Sequence, residues 1–370
     1  MKIDLPEKRR PLLFDLFPQI EAKLGWTPLV DAPTSVHRLE NISALLKGDV
    51  WVKRDDRSSP TYGGNKPRKL EFILGDALAC EKDTLVTGGG LGTNHGLATA
   101  VFGKKMGFRV TLGLFDQPIT EHVRKNLLLF YAHEAEMKYL GSMLKAVVHY
   151  YVIERIRQRK AYFVDPGGSS PIGVLGFVDA GLEFARQIEQ KILPIPKVIY
   201  VPLGTCGTVA GLVLGLRLGG LPIKVQGIQV APRPFANAKA TLGLTRKTLR
   251  LLRGLDGSVP EVDLNLSDFP VDGEQYGSGY GHSTDAGQEA ITLMGEQEMI
   301  SLDPTYTAKT FAAIIEYFRS GPAKGPVLFW NTLNSVDLSS IVKKVDYKSL
   351  PASFHCFFDN ESKPQPVTSH

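Results

Sequence analysis

Three glycine-rich segments place chemistry-bearing side chains beside backbone that carries no Cβ. The first is Gly63-Gly64-Asn65-Lys66-Pro67-Arg68-Lys69-Leu70-Glu71. Pro67 suits the first turn of a helix, so Lys66 stands where a loop becomes a helix. A lysine fixed there can form a Schiff base if its amine is desolvated or set among cations, and Arg68 and Lys69 supply positive charge nearby. The same residues also read as a solvated surface lysine with solvated neighbours. The second segment is Gly88-Gly89-Gly90-Leu91-Gly92-Thr93-Asn94-His95-Gly96. Strand, glycines and helix in that order leave N–H groups free at a helix N-terminus, which suits a carboxylate or phosphate. Thr93 or Asn94 equally suits a plain N-cap. The third, Val201-Pro202-Leu203-Gly204-Thr205-Cys206-Gly207-Thr208, repeats the sequence of strand, glycine turn and helix. It has neither the GK[ST] ending of a nucleotide loop nor a G-x-G-x-x-G fingerprint. A compact phosphate cup fits it better, with the hydroxyls of Thr205 and Thr208 as added donors.

Alternating elements must hold these segments in place. Thr84–Thr87 predicts a strand ending in a Gly88-Gly89-Gly90 loop, followed by a helix from about Asn94. Arg109–Leu114 predicts a strand, Glu121–Phe130 a helix and Glu136–Leu140 a weaker strand. Ser142 suits the cap of a helix in which Leu144, Val147, Val148, Tyr151 and Val152 recur at amphipathic spacing. The basic run from Arg155 to Lys160 suits that helix's C-terminus. After a strand at Tyr162–Val164, the segment Asp165–Pro171 breaks the pattern as a candidate domain crossing. A helix at Val174–Ile188, a strand at Val198–Val201, a helix at Thr208–Leu218 and a strand at Lys224–Val230 follow. Arg246–Arg253 reads as part of a solvated helix and Pro326–Trp330 as a last buried strand, and the polar tail after Leu350 reads as loose. The alternation predicts βαβ units: an α/β protein with parallel sheets flanked by helices. Ligand sites at the carboxyl ends of strands agree with that architecture.

Composition narrows the class. Of 370 residues 43% are hydrophobic and 22% charged, ordinary values for a globular protein. A net charge of +5 with interspersed signs gives little support to nucleic-acid binding. Cys80, Cys206 and Cys356 have no metal-ligand spacing and suit a reducing compartment. The N-terminal residues make a poor signal peptide. The best candidate for a membrane span, Val201–Ile223, is bracketed by Pro202 and Pro222 and shortened by its glycine loop, so a buried helix is expected. Glycine is the unusual count, at 37 residues without a collagen period.

Taken together, GGNKPRKLE, GTNHG and the GTCGT cup resemble the fold-type II (tryptophan synthase β-like) pyridoxal-phosphate enzymes. Within them the chain is most similar to the D-cysteine desulfhydrase and 1-aminocyclopropane-1-carboxylate (ACC) deaminase group. GYG at Gly279–Gly281 and LDPTYTAK at Leu302–Lys309 look like the same group, and the resemblance runs from about Trp26 to Asn334. It implies two domains, each with an open twisted, mainly parallel sheet. Residues 1–68 with 178–345 would form a large cofactor-binding domain, 69–177 a small domain with the substrate-carboxylate loop, and 346–370 a tail. Pyridoxal 5'-phosphate is the implied cofactor, with Lys66 as its Schiff-base lysine. Gly204, Thr205, Cys206, Gly207 and Thr208 would hold the phosphate, Asn94 would lie near the 3'-oxygen, and Thr332 would face the pyridine nitrogen. Thr93, Asn94 and His95 occupy the substrate loop, and Tyr280 and Tyr306 match the two active-site tyrosines; the resemblance makes Thr93, Tyr280 and Tyr306 catalytic beside Lys66, with Tyr306 or Thr93 assisting proton handling.

Within the group, ACC deaminases carry Glu directly after the second tyrosine and Leu in the C-terminal loop. Thr307 and Thr332 stand there in this chain and are desulfhydrase-like. The implied activity is β-elimination from D-cysteine to pyruvate, ammonia and sulfide. The alternatives are ACC deamination, a dehydratase acting on a hydroxy amino acid, or a cofactor-holding protein whose substrate loop has drifted. The chain departs from the group at Thr93, usually Ser, and at Gly96-Leu97, Ser283 and Leu333-Asn334, all on the substrate side. The expected setting is a cytoplasmic homodimer with no nucleic-acid or membrane partner.

Overall fold

The computed structural model describes residues 10–158, 160–321 and 325–359. The start of the segment weighed as a leader (residues 1–9), Arg159 of the basic helix end, and residues 360–370 of the tail lie outside them. The chain forms two compact units, residues 1–82 with 164–336 and residues 83–163 with 337–370.

The larger unit holds a six-stranded sheet in the order β1 (Val36–Arg38), β2 (Val50–Lys53), β10 (Val327–Trp330), β7 (Val198–Leu203), β8 (Lys224–Gln229), β9 (Val271–Asp272). β1 runs antiparallel to β2 and every other pairing is parallel. Helices cover both faces, so β7 and β10 are buried throughout and read as unbroken apolar runs rather than alternating ones. Three helices matter most for the site: Lys66–Ala79, Pro171–Glu189 and Gly207–Leu218. The last two touch backbone to backbone. A Cβ on Gly215 would fall 2.2 Å from the Val178 carbonyl oxygen, and one on Gly211 2.4 Å from the Phe177 Cβ. Gly211, Gly215 and Gly219, four residues apart, thus form a helix-packing stripe, the last with its Cβ position 2.8 Å from the Ala185 Cβ. No helix among the described residues is long and apolar enough to cross a membrane. Val201–Ile223 instead divides between the end of β7 and a 12-residue helix.

The smaller unit holds a parallel four-stranded sheet in the order β5 (Glu136–Gly141), β4 (Arg109–Phe115), β3 (Thr84–Gly90), β6 (Tyr162–Phe163). Three expectations are corrected here. Gly88, Gly89 and Gly90 belong to β3 itself, paired with Gly113, Leu114 and Phe115 of β4. A Cβ on Gly88 would stand 2.9 Å from the Gly113 carbonyl oxygen, so glycine serves the ladder and the loop shrinks to three residues. Secondly, the stripe begun at Leu144 faces outward: Leu144 is 74% and Val152 50% exposed. The helix capped by Ser142 becomes π-helical over His149–Glu154, and Ala146, Tyr150 and Glu154 face the sheet instead. Glu154 binds Lys138 at 2.9 Å and His149 at 2.7 Å, and the Tyr150 ring meets Phe163 edge-on, which fixes that face inward. Thirdly, the tail is folded as far as Asp359. Phe354 is buried, its ring and that of Phe357 lie 6.0 and 5.3 Å from Tyr139, and Arg124 donates to the Phe357 carbonyl.

The crossings between units fall at 82/83, 163/164 and 336/337, the second next to the break at Asp165–Pro171, where the resemblance implies 68/69, 177/178 and 345/346. The Lys66 helix and the Pro171–Glu189 helix pack together: a Cβ on Gly176 would meet the Arg68 carbonyl oxygen at 1.9 Å. Both helices therefore stay whole in the larger unit.

Candidate active site

The Lys66 loop is tied down from three directions. The Gly64 N–H donates to the Asp55 carbonyl (2.8 Å), the Asn65 N–H to the Thr332 carbonyl (3.2 Å) and the Gly63 N–H to Asn334 Oδ1 (2.7 Å). Gly64 has φ +85°, and a Cβ there would press on the Thr332 carbonyl oxygen at 2.7 Å, so the loop needs glycine. Helix formation starts at Lys66 with Pro67 in the first turn. Lys66 keeps part of its surface open, yet desolvation pulls its ammonium down to about 8 against the opposing charge of Asp303. An amine at that value is uncharged in a useful fraction of molecules near neutral pH.

Strand β7 delivers the cup at the N-terminus of the Gly207–Leu218 helix, where free N–H groups and the helix dipole favour an anion. Cys206 turns the chain with φ +65°, a strained value for a residue with a Cβ, and its thiol donates to the Phe235 carbonyl. Asn65 Nδ2 donates to Thr208 Oγ1 (3.1 Å), and Thr205 Oγ1 lies 2.7 Å from Ser169 Oγ. A Cβ at Gly204 would meet nothing nearer than Tyr306 Cε1 and Val230 Cγ2, both at 3.9 Å, so the cup is open beside it.

Lys69 is the residue that sequence reading undervalued. It is 2% exposed, and its Nζ donates to the Gly167 carbonyl (3.0 Å) and Ser169 Oγ (3.3 Å). A Cβ at Gly207 would stand 2.8 Å from that Nζ, so the ammonium lies at the cup. Burial, with Lys66 nearby, pushes it well below the usual lysine range. No carboxylate pairs with it among the described residues. The spacing of Lys66 and Lys69, one helical turn apart, was the available signal.

Tyr280 and Tyr306 meet hydroxyl to hydroxyl at 2.6 Å. Burial raises both phenols, and Tyr280 adds to the rise at Tyr306. Tyr306 heads the helix Thr307–Arg319. Asp303 caps it: one carboxylate oxygen accepts from the N–H groups of Thr305 (3.0 Å) and Tyr306 (2.7 Å), the other from the N–H (3.2 Å) and hydroxyl (2.7 Å) of Thr307. Thr332 is nearly buried beyond the end of β10. The larger unit thus brings together Lys66, the cup, both tyrosines and Thr332. Asn334, a departure from the group's pattern, acts as a tether on the Lys66 loop.

Thr93, Asn94 and His95 lie in the smaller unit, at the start of the helix Asn94–Lys105. Thr93 is its N-cap, with Oγ1 accepting from the Gly96 N–H at 3.2 Å. Asn94 Oδ1 meets His122 Nε2 (3.0 Å) and accepts from Asn126 Nδ2 (3.3 Å), and Asn126 also donates to the Gly92 carbonyl (2.8 Å). His95 Nε2 pairs with Thr87 Oγ1 at 3.0 Å, a structural contact. Sequence reading missed His122 and Asn126 because they arrive from the helix Glu121–Ala132, about thirty residues on.

The family model described as "Pyridoxal-phosphate dependent enzyme" matches residues 25–332. A Pyrococcus horikoshii protein, provisionally named a 1-aminocyclopropane-1-carboxylate deaminase, is 34% identical over 325 residues, covering 86% of this chain and 95% of that protein. The D-cysteine desulfhydrase of Salmonella newport is 31% identical over 329 residues, covering 85% and 94%. Among solved structures, an ACC deaminase homologue superposes with a TM-score of 0.75 at 30% identity, covering 90% of this chain and 99% of that one.

Proposed function

Because this chain belongs to the family of pyridoxal-phosphate-dependent enzymes, we propose that it is a lyase acting on a small amino acid, with D-cysteine as its leading substrate. The residues present suit the cofactor. Lys69 is a desolvated cation without a carboxylate, placed where a phosphate would supply the missing negative charge, and Lys66 offers a depressed amine one turn away. On this reading Lys66 holds the cofactor and later carries the Cα proton, the cup and Lys69 bind phosphate, and Thr332 faces the ring nitrogen. Bound pyridoxal phosphate supplies an electron sink for the charge left when a Cα bond breaks. Thr93, Asn94 and His95 would orient the substrate carboxylate, which is a gain from positioning. Tyr280 and Tyr306 share one hydrogen bond and would pass a proton between substrate and chain. Replacing Lys69 by Met removes a charge-assisted contact to phosphate, so cofactor affinity measured by fluorescence titration should fall about 10- to 100-fold.

The observation that favours elimination of thiolate over ACC deamination is Thr307. Its side chain is fully buried and its hydroxyl is spent on Asp303, so this position supplies no carboxylate for the ring. A good leaving group such as thiolate makes the milder electron sink adequate. The test is a substrate panel of D-cysteine, L-cysteine, ACC and D- and L-serine, read by sulfide and 2-oxo acid release. Sulfide and pyruvate from D-cysteine are expected. Release of 2-oxobutyrate from ACC alone, the activity that two of the relatives' names point to, would overturn the choice of substrate and leave the family standing.

The same reading assigns the cofactor to the larger unit and substrate-carboxylate binding to the smaller one, in a cytoplasmic homodimer without nucleic-acid or membrane partners. The free state of the three cysteines agrees with a reducing compartment.

A further inference from the structure

Lys309 is a fully buried lysine that the chemistry above does not use. Its Nζ donates to the Tyr276 carbonyl (2.6 Å) and the Gly279 carbonyl (3.4 Å), and it lies 5.5 Å from the centre of the Tyr276 ring. Those carbonyls belong to a segment, Tyr276 to Gly281, with little stiffness of its own. Gly277, Gly279 and Gly281 adopt φ of +68°, +150° and +83°, and the segment lies outside any helix or strand longer than three residues. Glycines that reach such angles easily also leave them easily. Tyr280 is carried on this segment, so its hydroxyl must be held from elsewhere to stay 2.6 Å from that of Tyr306.

The holding group comes from the helix that starts at Tyr306 itself. Lys309 sits in the first turn of that helix, and Asp303 pins the turn through four contacts. One short piece of chain therefore carries one tyrosine and grips the backbone just before the other, at Tyr276 and Gly279. A methionine would fill the same volume without the desolvation that lowers the Lys309 ammonium. What the ammonium adds is direction, two carbonyls held at once.

We propose that Lys309 is a positioning residue, fixing Tyr280 against Tyr306 by clamping the Tyr276 and Gly279 carbonyls from the Tyr306 helix. This rests on the reading of Tyr280 as an active-site group. It predicts that Lys309 matters to turnover only through Tyr280.

The experiment is a double-mutant cycle on the cofactor-loaded enzyme with Lys309→Met, Tyr280→Phe and the double variant. The readouts are kcat, KM, the cofactor dissociation constant and the thermal midpoint. Lys309→Met alone should lower kcat about 10- to 100-fold, the scale of a displaced catalytic group, while cofactor affinity stays within about threefold. In the Tyr280→Phe background the same substitution should cost less than about threefold, since groups acting as a unit are not additive. Lys309→Gln keeps an uncharged NH2 donor on a shorter arm and should fall between wild type and Met, and it takes Met's place in the cycle if Met does not yield folded enzyme. Full multiplication of the two losses overturns the proposal, as does wild-type kcat in Lys309→Met. Loss of the folded holoenzyme in both Lys309 variants also overturns it, by making Lys309 a folding residue. Wild-type turnover in Tyr280→Phe alone is a separate result, which removes the reading of Tyr280 on which the proposal stands.

Discussion

Lys66→Ala is expected to abolish both turnover and the absorbance of lysine-linked cofactor, with kcat down at least about a thousandfold. No neighbouring amine can take over. Lys69 is the nearest, but its Nζ is committed to the Gly167 carbonyl and Ser169 and is 2% exposed. Lys309 is held by the Tyr276 and Gly279 carbonyls. Lys66 alone of the three combines a lowered pKa with an open surface. Its ammonium, brought to about 8 by desolvation, also sets a pH dependence. The reactive form is the neutral amine, whose fraction grows as pH rises through that value. Capture of pyridoxal phosphate by cofactor-free protein should therefore quicken over about one pH unit on either side of the pKa and then level off. Stopped-flow absorbance measures it. A rate that is flat across that window, or turnover surviving in Lys66→Ala, would remove Lys66 from its role. Because the charge of Asp303 opposes the downward shift, neutralising it in Asp303→Asn should move the rise to lower pH.

How much of this was legible beforehand depended on how far apart in the chain the partners lie. Lys66 and the Gly204–Thr208 cup could be read directly, since lysine, glycines, proline and following helix are contiguous and each local preference agrees with the next. Thr93 as an N-cap was legible for the same reason. The clasp of His122 and Asn126 on Asn94 was not, because nothing local marks a residue on the next helix as a ligand of the loop before it. Asn334 looked like a departure from a pattern and proved to be a tether on Gly63, a pairing across 271 positions. Glycines at 88–90 read as a loop because what they pack against, Gly113 for Gly88, Thr93 for Gly89 and Gln117 for Gly90, is not marked beside them in the strand pattern. The stripe at Leu144–Val152 shows a further limit. Periodicity states that a helix has two unlike faces, and the ion pairs of Glu154 then decided which one turned inward.

Arg68→Met is expected to cost about 3–5 kcal/mol of stability, the usual effect of stripping one partner from a buried ion pair. Arg68 is fully buried and binds Asp55 in fork geometry, with Nε to Oδ2 at 2.9 Å and Nη2 to Oδ1 at 2.8 Å, and it also reaches both oxygens of Glu183. Asp55 holds the Trp330 indole N–H at 2.7 Å, and Glu183 holds Lys53 Nζ at 2.5 Å. The cluster thus ties the Lys66 helix to strands β2 and β10 and to the Pro171–Glu189 helix. Without Arg68, two carboxylates face Lys53 alone in a dry interior. Arg68→Lys should recover only part of the loss, because a point charge cannot reproduce the fork. Urea unfolding of the cofactor-free protein would show a lowered midpoint with unchanged slope. A midpoint equal to wild type would mean that water or rearrangement compensates the charges. The effect should also reach the site: Lys66 lies two residues from Arg68 on the same helix, whose start is otherwise held by the backbone contacts to Asp55, Thr332 and Asn334. Cofactor binding should therefore weaken in Arg68→Met although the residue touches no ligand, and saturating cofactor should restore part of the lost stability by mass action.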